Sequence, residues 1–141
     1  MNPTPGSYLR RFWPLFVAAA LGAQTAQVLE TKTITPPEEA YAGWSTLARR
    51  ANGELWVSWS GGRDSHICPL GQVRAMTSKD DGATWTYPRV LLDGPIDDRD
   101  SGVLETAKGT LLVTTFTSLA YEERGLLVKQ APERQARWKA A

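Results

Sequence analysis

One cysteine and one histidine are all that 141 residues contain of the two side chains most used for cross-linking and metal binding. Cys68 has no second thiol to pair with, so a disulfide framework is excluded as a source of stability. His66, with only Cys68 near it in sequence, falls short of the ligand count of a metal site, and a loop or packing role suits it better. No metal and no cofactor are expected. Charge of one sign is also lacking: 16 Lys and Arg against 15 Asp and Glu leave a net charge of +1, which gives no footprint for nucleic acid. Long apolar runs are missing as well. The stretch from Phe12 to Ala23 is far shorter than the roughly 20 residues a helix needs to cross a bilayer, so no stable membrane span is expected. Finally, no segment before Tyr121 sustains a period of three to four residues, which excludes a helix-rich fold.

What the amino-terminal stretch does have is Arg10-Arg11, then the apolar run, then small and polar residues at Gln24-Thr25-Ala26. Residues 1–26 therefore read as a secretory signal peptide, and the remainder as secreted or periplasmic. Two cleavage points fit, Ala20-Leu21-Gly22 and Ala23-Gln24-Thr25, and the sequence leaves both open. Asn2-Pro3-Thr4 and Asn52-Gly53-Glu54 both fail as N-glycosylation acceptors, the first because of its proline and the second for want of a hydroxyl.

The most informative stretch is Ser78-Lys79-Asp80-Asp81-Gly82-Ala83-Thr84-Trp85. Asp80 has a short side chain able to accept hydrogen bonds from backbone amides just ahead of it, and Gly82 can take the positive φ that closes such a turn. Ser78 and Thr84 can tie the ends. Trp85 can fold its indole back under the turn and give it a small core of its own. The pattern Ser-x-Asp-x-Gly-x-Thr-Trp resembles the Asp-box, or bacterial neuraminidase repeat, of sialidases and related β-propellers, and all five of its positions are matched. In that family the box lies on the hairpin between the third and fourth strands of a blade, away from the active site. The resemblance thus implies architecture first, with Ser78, Asp80, Gly82, Thr84 and Trp85 as structural residues.

Around this turn the chain reads as all-β. Residues 27–44 suit a leading strand, with Thr31, Thr33 and Thr35 in alternation, and then an exposed loop at Pro36-Pro37-Glu38-Glu39. Residues 45–93 hold four antiparallel strands: Ser45–Arg49, Glu54–Ser60, Val73–Thr77 and Trp85–Leu92. The first two are joined at Asn52-Gly53, a hairpin signal whose type I′ form needs positive φ at both residues. Four consecutive strands with short turns describe one propeller blade. Trp59 alternates onto the core side with Leu55 and Val57, whereas Trp56 points the other way and is harder to place.

The pattern then restarts. Ser101-Gly102-Val103-Leu104 and Lys108-Gly109-Thr110-Leu111 echo Ser45-Thr46-Leu47-Ala48 and Asn52-Gly53-Glu54-Leu55 at an offset of 56 residues. A repeat of that length marks a propeller or another repeated architecture. About 115 residues follow the signal peptide, enough for about two such repeats, whereas propellers close with four to eight blades. The sequence is therefore expected to be the opening section of a longer chain: one complete blade, a partial second over 94–120, and a helical tail over 121–141 that begins near Pro132-Glu133. The missing blades of its own parent chain are its expected partners.

For function, the charged loops Arg63-Asp64-Ser65-His66 and Asp97-Asp98-Arg99-Asp100 are the candidates. In sialidases three arginines grip a substrate carboxylate, an aspartate is the acid/base, and a tyrosine assisted by a glutamate attacks the sugar. Guanidinium suits the first task because its planar donors match a carboxylate. The resemblance implies that Arg63, after Ser60-Gly61-Gly62, is the second of these arginines. The place of the first reads Gly43-Trp44-Ser45, but the repeat puts Arg99 at the corresponding position of the second blade, with Asp100 beside it. Asp64 is a weak match to the acid/base, because the family's aspartate usually falls several residues further on. The third arginine, the tyrosine and the glutamate would lie on later blades. The expected function is thus part of a secreted exo-α-sialidase acting on sialic acid-like glycans, inactive in isolation. The alternative is a non-catalytic Asp-box propeller binding carbohydrate or protein.

Overall fold

The computed structural model describes residues 26–140, so the expected signal peptide lies, apart from Ala26, outside the described residues. Residues 26–32 are exposed and form no helix or strand. From Thr33 the chain folds as a separate unit, and it is mostly antiparallel β-sheet. The leading strand expected before Tyr41 is not formed: residues 33–42 run as turns and bends. Pro36 and Pro37 cannot donate to a ladder, and a turn closes on them through Glu39 N–H to Pro36 C=O at 3.0 Å. Glu39 then serves as a brace, accepting from Gly62 N–H at 2.8 Å and from Arg74 at 2.6 Å.

Four strands follow in one sheet in the order β1 (Gly43–Arg49), β2 (Leu55–Gly61), β3 (Gln72–Ser78) and β4 (Arg89–Leu92), each antiparallel to its neighbour. A second sheet pairs β5 (Asp97–Glu105) with β6 (Leu111–Ser118). The tail is helical, with α1 (Ala120–Glu123), a 3-10 turn at Leu127–Lys129 and α2 (Pro132–Ala140). Helix α2 starts on Pro132, where the missing N–H costs nothing and the ring fixes a helical φ.

Two details correct the sequence reading. Only Gly53 of the Asn52-Gly53 pair takes positive φ, at 87°, so the β1–β2 hairpin is not type I′. Its hydrogen bonds, Gly53 N–H to Arg50 C=O and Arg50 N–H to Glu54 C=O, both 2.9 Å, are those of a type I turn completed by a glycine bulge. The fourth strand is shorter than Trp85–Leu92, because Trp85 turns back under the loop and Pro88 interrupts the ladder; Thr86 N–H donates to Thr77 C=O at 2.9 Å, and Thr77 N–H donates to Thr86 Oγ1 at 3.0 Å.

The 56-residue repeat is visible in the backbone itself. Gly109 closes the β5–β6 hairpin at φ 80° with the bonds that Gly53 makes in the first hairpin. Upstream, β1 breaks register between Gly43 and Thr46, and β5 between Arg99 and Gly102. Each bulge holds one non-glycine residue in the left-handed region, Trp44 at φ 51° and Asp100 at φ 46°, which are 56 residues apart. Small buried residues on one face of β2, Ser58 and Ser60, let the two sheets meet: Ser60 Oγ accepts from Asp100 N–H at 2.8 Å, and Thr46 Oγ1 donates to Ser101 C=O at 2.9 Å. The opposite face carries the large residues, Val57, Trp59 and Met76, packed with Ile34 and Trp85. Trp56, on the small-residue face, lies under the Arg89 guanidinium at 5.9 Å and donates to Glu54 at 2.9 Å. A second cluster joins Ile67 and Cys68 to Tyr121 and Trp138 of the tail.

At the far end of this sheet the 78–85 turn is held by its own side chains. Asp80 Oδ1 accepts from Thr84 N–H and Ser78 Oγ–H, each at 2.8 Å, and Oδ2 accepts from the Thr84 hydroxyl at 2.5 Å. Gly82 sits at φ 88°, its N–H donates to Ser78 Oγ at 2.9 Å, and its carbonyl accepts from Trp85 Nε1 at 3.1 Å. The Thr84 hydroxyl first, then the Thr84 amide and Ser78, hold the Asp80 carboxyl down at about 2. Its folded value is lower than the unfolded one, so the stability it contributes is present above about pH 4 and is lost as pH falls toward 2. Asp80→Asn should remove that acid dependence, as read from melting curves between pH 2 and 5. Trp85→Ala is expected to cost about 2 kcal/mol in urea denaturation, less than a fully buried indole because Trp85 is half-exposed.

Candidate functional site

The opposite end of the sheet gathers the charged loops. Gly61 ends β2, and Gly62 at φ 69° turns the chain so that Arg63 points inward beneath the start of β5. Its side chain has no exposure. Nη1 donates to His66 C=O at 2.8 Å, and Nη2 donates to the Asp97 carboxylate and to Asp98 C=O. Arg99, from the second repeat, arrives from the other side: Nη2 reaches His66 C=O at 3.3 Å, and Nε lies 3.8 Å from Asp97 Oδ2. Two arginines 36 residues apart in sequence thus converge on one carboxylate and one carbonyl. Trp44 lies against both, its ring centre 5.0 Å from the Arg99 guanidinium carbon and 5.6 Å from that of Arg63.

Gly71 makes this convergence possible. A Cβ there would overlap the Asp97 carboxylate and the Arg63 guanidinium, and would sit 2.8 Å from Asp98 C=O. Its own carbonyl accepts from Asp98 N–H at 3.1 Å, tying the loop before β3 to β5. Burial pushes the Asp97 carboxyl up to about 6, against the opposing pull of Arg63, Arg99 and the Cys68 amide. Among the described residues, seven buried side-chain polar atoms have no hydrogen-bond partner, and six are here: Arg63 Nε, Asp97 Oδ2, Asp98 Oδ1, Arg99 Nε, Asp100 Oδ1 and Ser101 Oγ. Folded proteins rarely leave such atoms unpaired, so their concentration in one place marks a polar centre with unused bonding capacity.

Of the residues singled out from sequence, Arg63, Arg99 and Asp100 are therefore brought together. Asp100 presents its backbone to Ser60 and keeps Oδ1 unpaired. Asp64 points elsewhere: α2 holds it by an ion pair with Arg137 and by Trp138 Nε1 at 3.3 Å, which anchors the tail to the loop. Beside it a polar cleft of about 250 Å³ opens between Glu39, Arg74 and Arg137. Sequence reasoning named Asp97 only within its charged loop and Trp44 only at the place of the first arginine, and gave neither a role in this centre. The 56-residue offset between Trp44 and Asp100 was the signal available for Trp44; for Asp97 no signal separates it from its acidic neighbours. Among the described residues, no group of three or more His, Cys, Asp or Glu side chains is placed to hold a metal ion, and no helix is long and apolar enough to cross a membrane.

No family model and no curated protein matches the chain. Among solved structures, a protein of unknown function from Dyadobacter fermentans is similar to it, with a TM-score of 0.53 and 24% identity over 64% of this chain. The match spans 29% of that protein's length. At this identity the likeness speaks for the fold alone.

Proposed function

We propose that this chain is a section of a secreted or periplasmic β-propeller of sialidase type, and that its charged end binds the carboxylate of a sialic acid-like sugar. Three features support the propeller: a four-stranded antiparallel blade in sequential order, the Asp-box on its third hairpin, and a second sheet repeating the first at 56 residues. The observation that carries the ligand is the convergence of Arg63 and Arg99, from different repeats, on the Asp97 carboxylate. The centre already accommodates one carboxylate between two guanidinium groups, the geometry an acidic sugar requires. The roles divide. Arg63 is fully buried and spends its terminal nitrogens on Asp97, Asp98 and His66, so it is the positioning residue, whereas Arg99 is 8% exposed, donates from Nη2 to His66 C=O, and is the ligand contact.

The test is titration of the full chain with N-acetylneuraminic acid and with its methyl ester, which lacks the charge. The acid should bind and the ester should not. Arg99→Ala should weaken the acid tenfold or more, since a charged hydrogen bond contributes about 1.5–3 kcal/mol. Equal binding of acid and ester, or an unchanged Arg99→Ala, would sink the reading.

A non-catalytic propeller binding carbohydrate or protein is the second reading, favoured by Gly43-Trp44-Ser45 in the place of the first family arginine and by the engagement of Asp64 with α2. An aryl α-sialoside separates the two. In the complete parent protein, which would carry the expected tyrosine and glutamate, hydrolysis that is lost in Asp64→Asn favours the enzyme; binding without hydrolysis favours the lectin-like protein.

A further inference from the structure

We infer that Tyr41, Trp44 and His66 form a stacking corner for the apolar face of a neutral pyranoside. This site stands apart from the carboxylate reading, because an uncharged sugar makes no demand on the arginines. The three rings are contiguous: Trp44 and His66 lie 4.7 Å apart between centres, Tyr41 and Trp44 6.1 Å, and Tyr41 and His66 6.5 Å. Their planes meet at 44°, 51° and 76°, so they are tilted against one another instead of forming a flat stack. The Tyr41 hydroxyl and His66 Nδ1 share an exposed hydrogen bond of 3.4 Å, which puts polar atoms beside the rings, within reach of sugar hydroxyls. Aromatic faces edged by hydrogen-bonding groups are suited to a ring that is apolar on one side and hydroxylated around its edge.

The corner leaves aromatic surface open to solvent. Trp44 holds φ 51°, a conformation costing a bulky L-residue about 1–3 kcal/mol, and remains 37% exposed, so the strain is not repaid by full burial of the indole. His66 is exposed as well. Two guanidinium groups nonetheless fix the indole in place, which preorganises it for a ligand and lowers the ordering cost of binding. Other exposed apolar side chains, such as Leu112 and Phe116 on β6, lack both the strained backbone and the polar rim.

The test is saturation-transfer NMR and titration of the full chain with methyl β-D-galactopyranoside. Binding is expected in the millimolar range, with the strongest transfer to the ring protons of one face. Trp44→Gly is the discriminating variant: glycine adopts positive φ without strain, so the melting temperature should stay within about 4 °C of the parent while the sugar is lost. Trp44→Phe, which keeps a ring, should bind within about fivefold of the parent. Retention of the sugar by Trp44→Gly overturns the inference. If that variant melts far lower, Tyr41→Ala decides: weakened galactoside binding in a chain with parental stability supports the corner, and unchanged binding overturns it. A chain that binds N-acetylneuraminic acid but not the galactoside refutes the corner and leaves the arginine reading standing; the reverse result does the opposite.

Discussion

Asp97→Ala is expected to lower stability by about 3–5 kcal/mol at pH 7, because it strips the buried Arg63 guanidinium of its counter-charge where water cannot replace it. The loss should appear as a shift of the urea midpoint with little change in slope, since the same surface is exposed on unfolding. Asp97→Asn should leave stability at pH 7 near the parent's or above it, because it keeps an acceptor for Arg63 at the same volume and removes the charge that burial disfavours. A second readout is pH. Burial raises the Asp97 carboxyl from the usual 3.8 to about 6, so the folded state holds its proton more tightly than the unfolded state. The contribution to stability is therefore highest below about pH 4, declines as pH rises to about 6, and is constant above that. Comparing denaturation midpoints of the parent and Asp97→Asn from pH 4 to pH 8 should show the decline only in the parent. An Asp97→Ala protein as stable as the parent would mean that Arg63 does not depend on this pair.

Gly71→Ala carries the second large effect, expected at about 3 kcal/mol. Space is the cause. The new methyl group would overlap both members of the Arg63–Asp97 pair and press on the Asp98 carbonyl, and backbone on that side cannot yield as a flexible side-chain end does. Gly53→Ala makes the control. A Cβ there meets nothing within 4 Å, so only the positive φ of 87° is unfavourable, and about 1 kcal/mol is expected. Gly71→Ala should also disturb the proposed acidic-sugar binding, since it displaces the centre on which Arg63 and Arg99 converge. A Gly71→Ala protein with parental stability and parental binding would show that the loop before β3 gives way and that the close approach is not required.

Much of the fold was legible because its signals are local. The hairpin at Gly53, the side-chain lattice of the 78–85 turn and the start of α2 at Pro132 each follow from the conformational limits of a few adjacent residues. Local signals also failed in recognisable ways. The alternating threonines before Tyr41 read as a strand, but alternation describes a strand that has neighbours, and Pro36-Pro37 together with the bracing role of Glu39 drew the segment into a turn. Asn52-Gly53 read as type I′, whereas Arg50 and Glu54 close a wider loop.

The candidate site was legible only in part. Arg63 stood out because it follows Ser60-Gly61-Gly62 at the end of a strand, and the offset of 56 residues carried Arg99 to the start of β5. Asp64 looked no different from Asp97 as a loop aspartate beside an arginine. The tail separates them: Arg137 and Trp138 draw Asp64 outward, while β5 buries Asp97.

By itself, then, the sequence determined the β-rich class, the repeat length, the 78–85 turn and the helical tail, since all of these depend on periodicity and on backbone freedom within a few residues. Tertiary structure alone decided which charges meet. Arg63, in the loop after β2, and Asp97, at the start of β5, are 34 positions apart, and their pairing required the small side chains of β2 and the absent side chain of Gly71 to let the two sheets close upon each other.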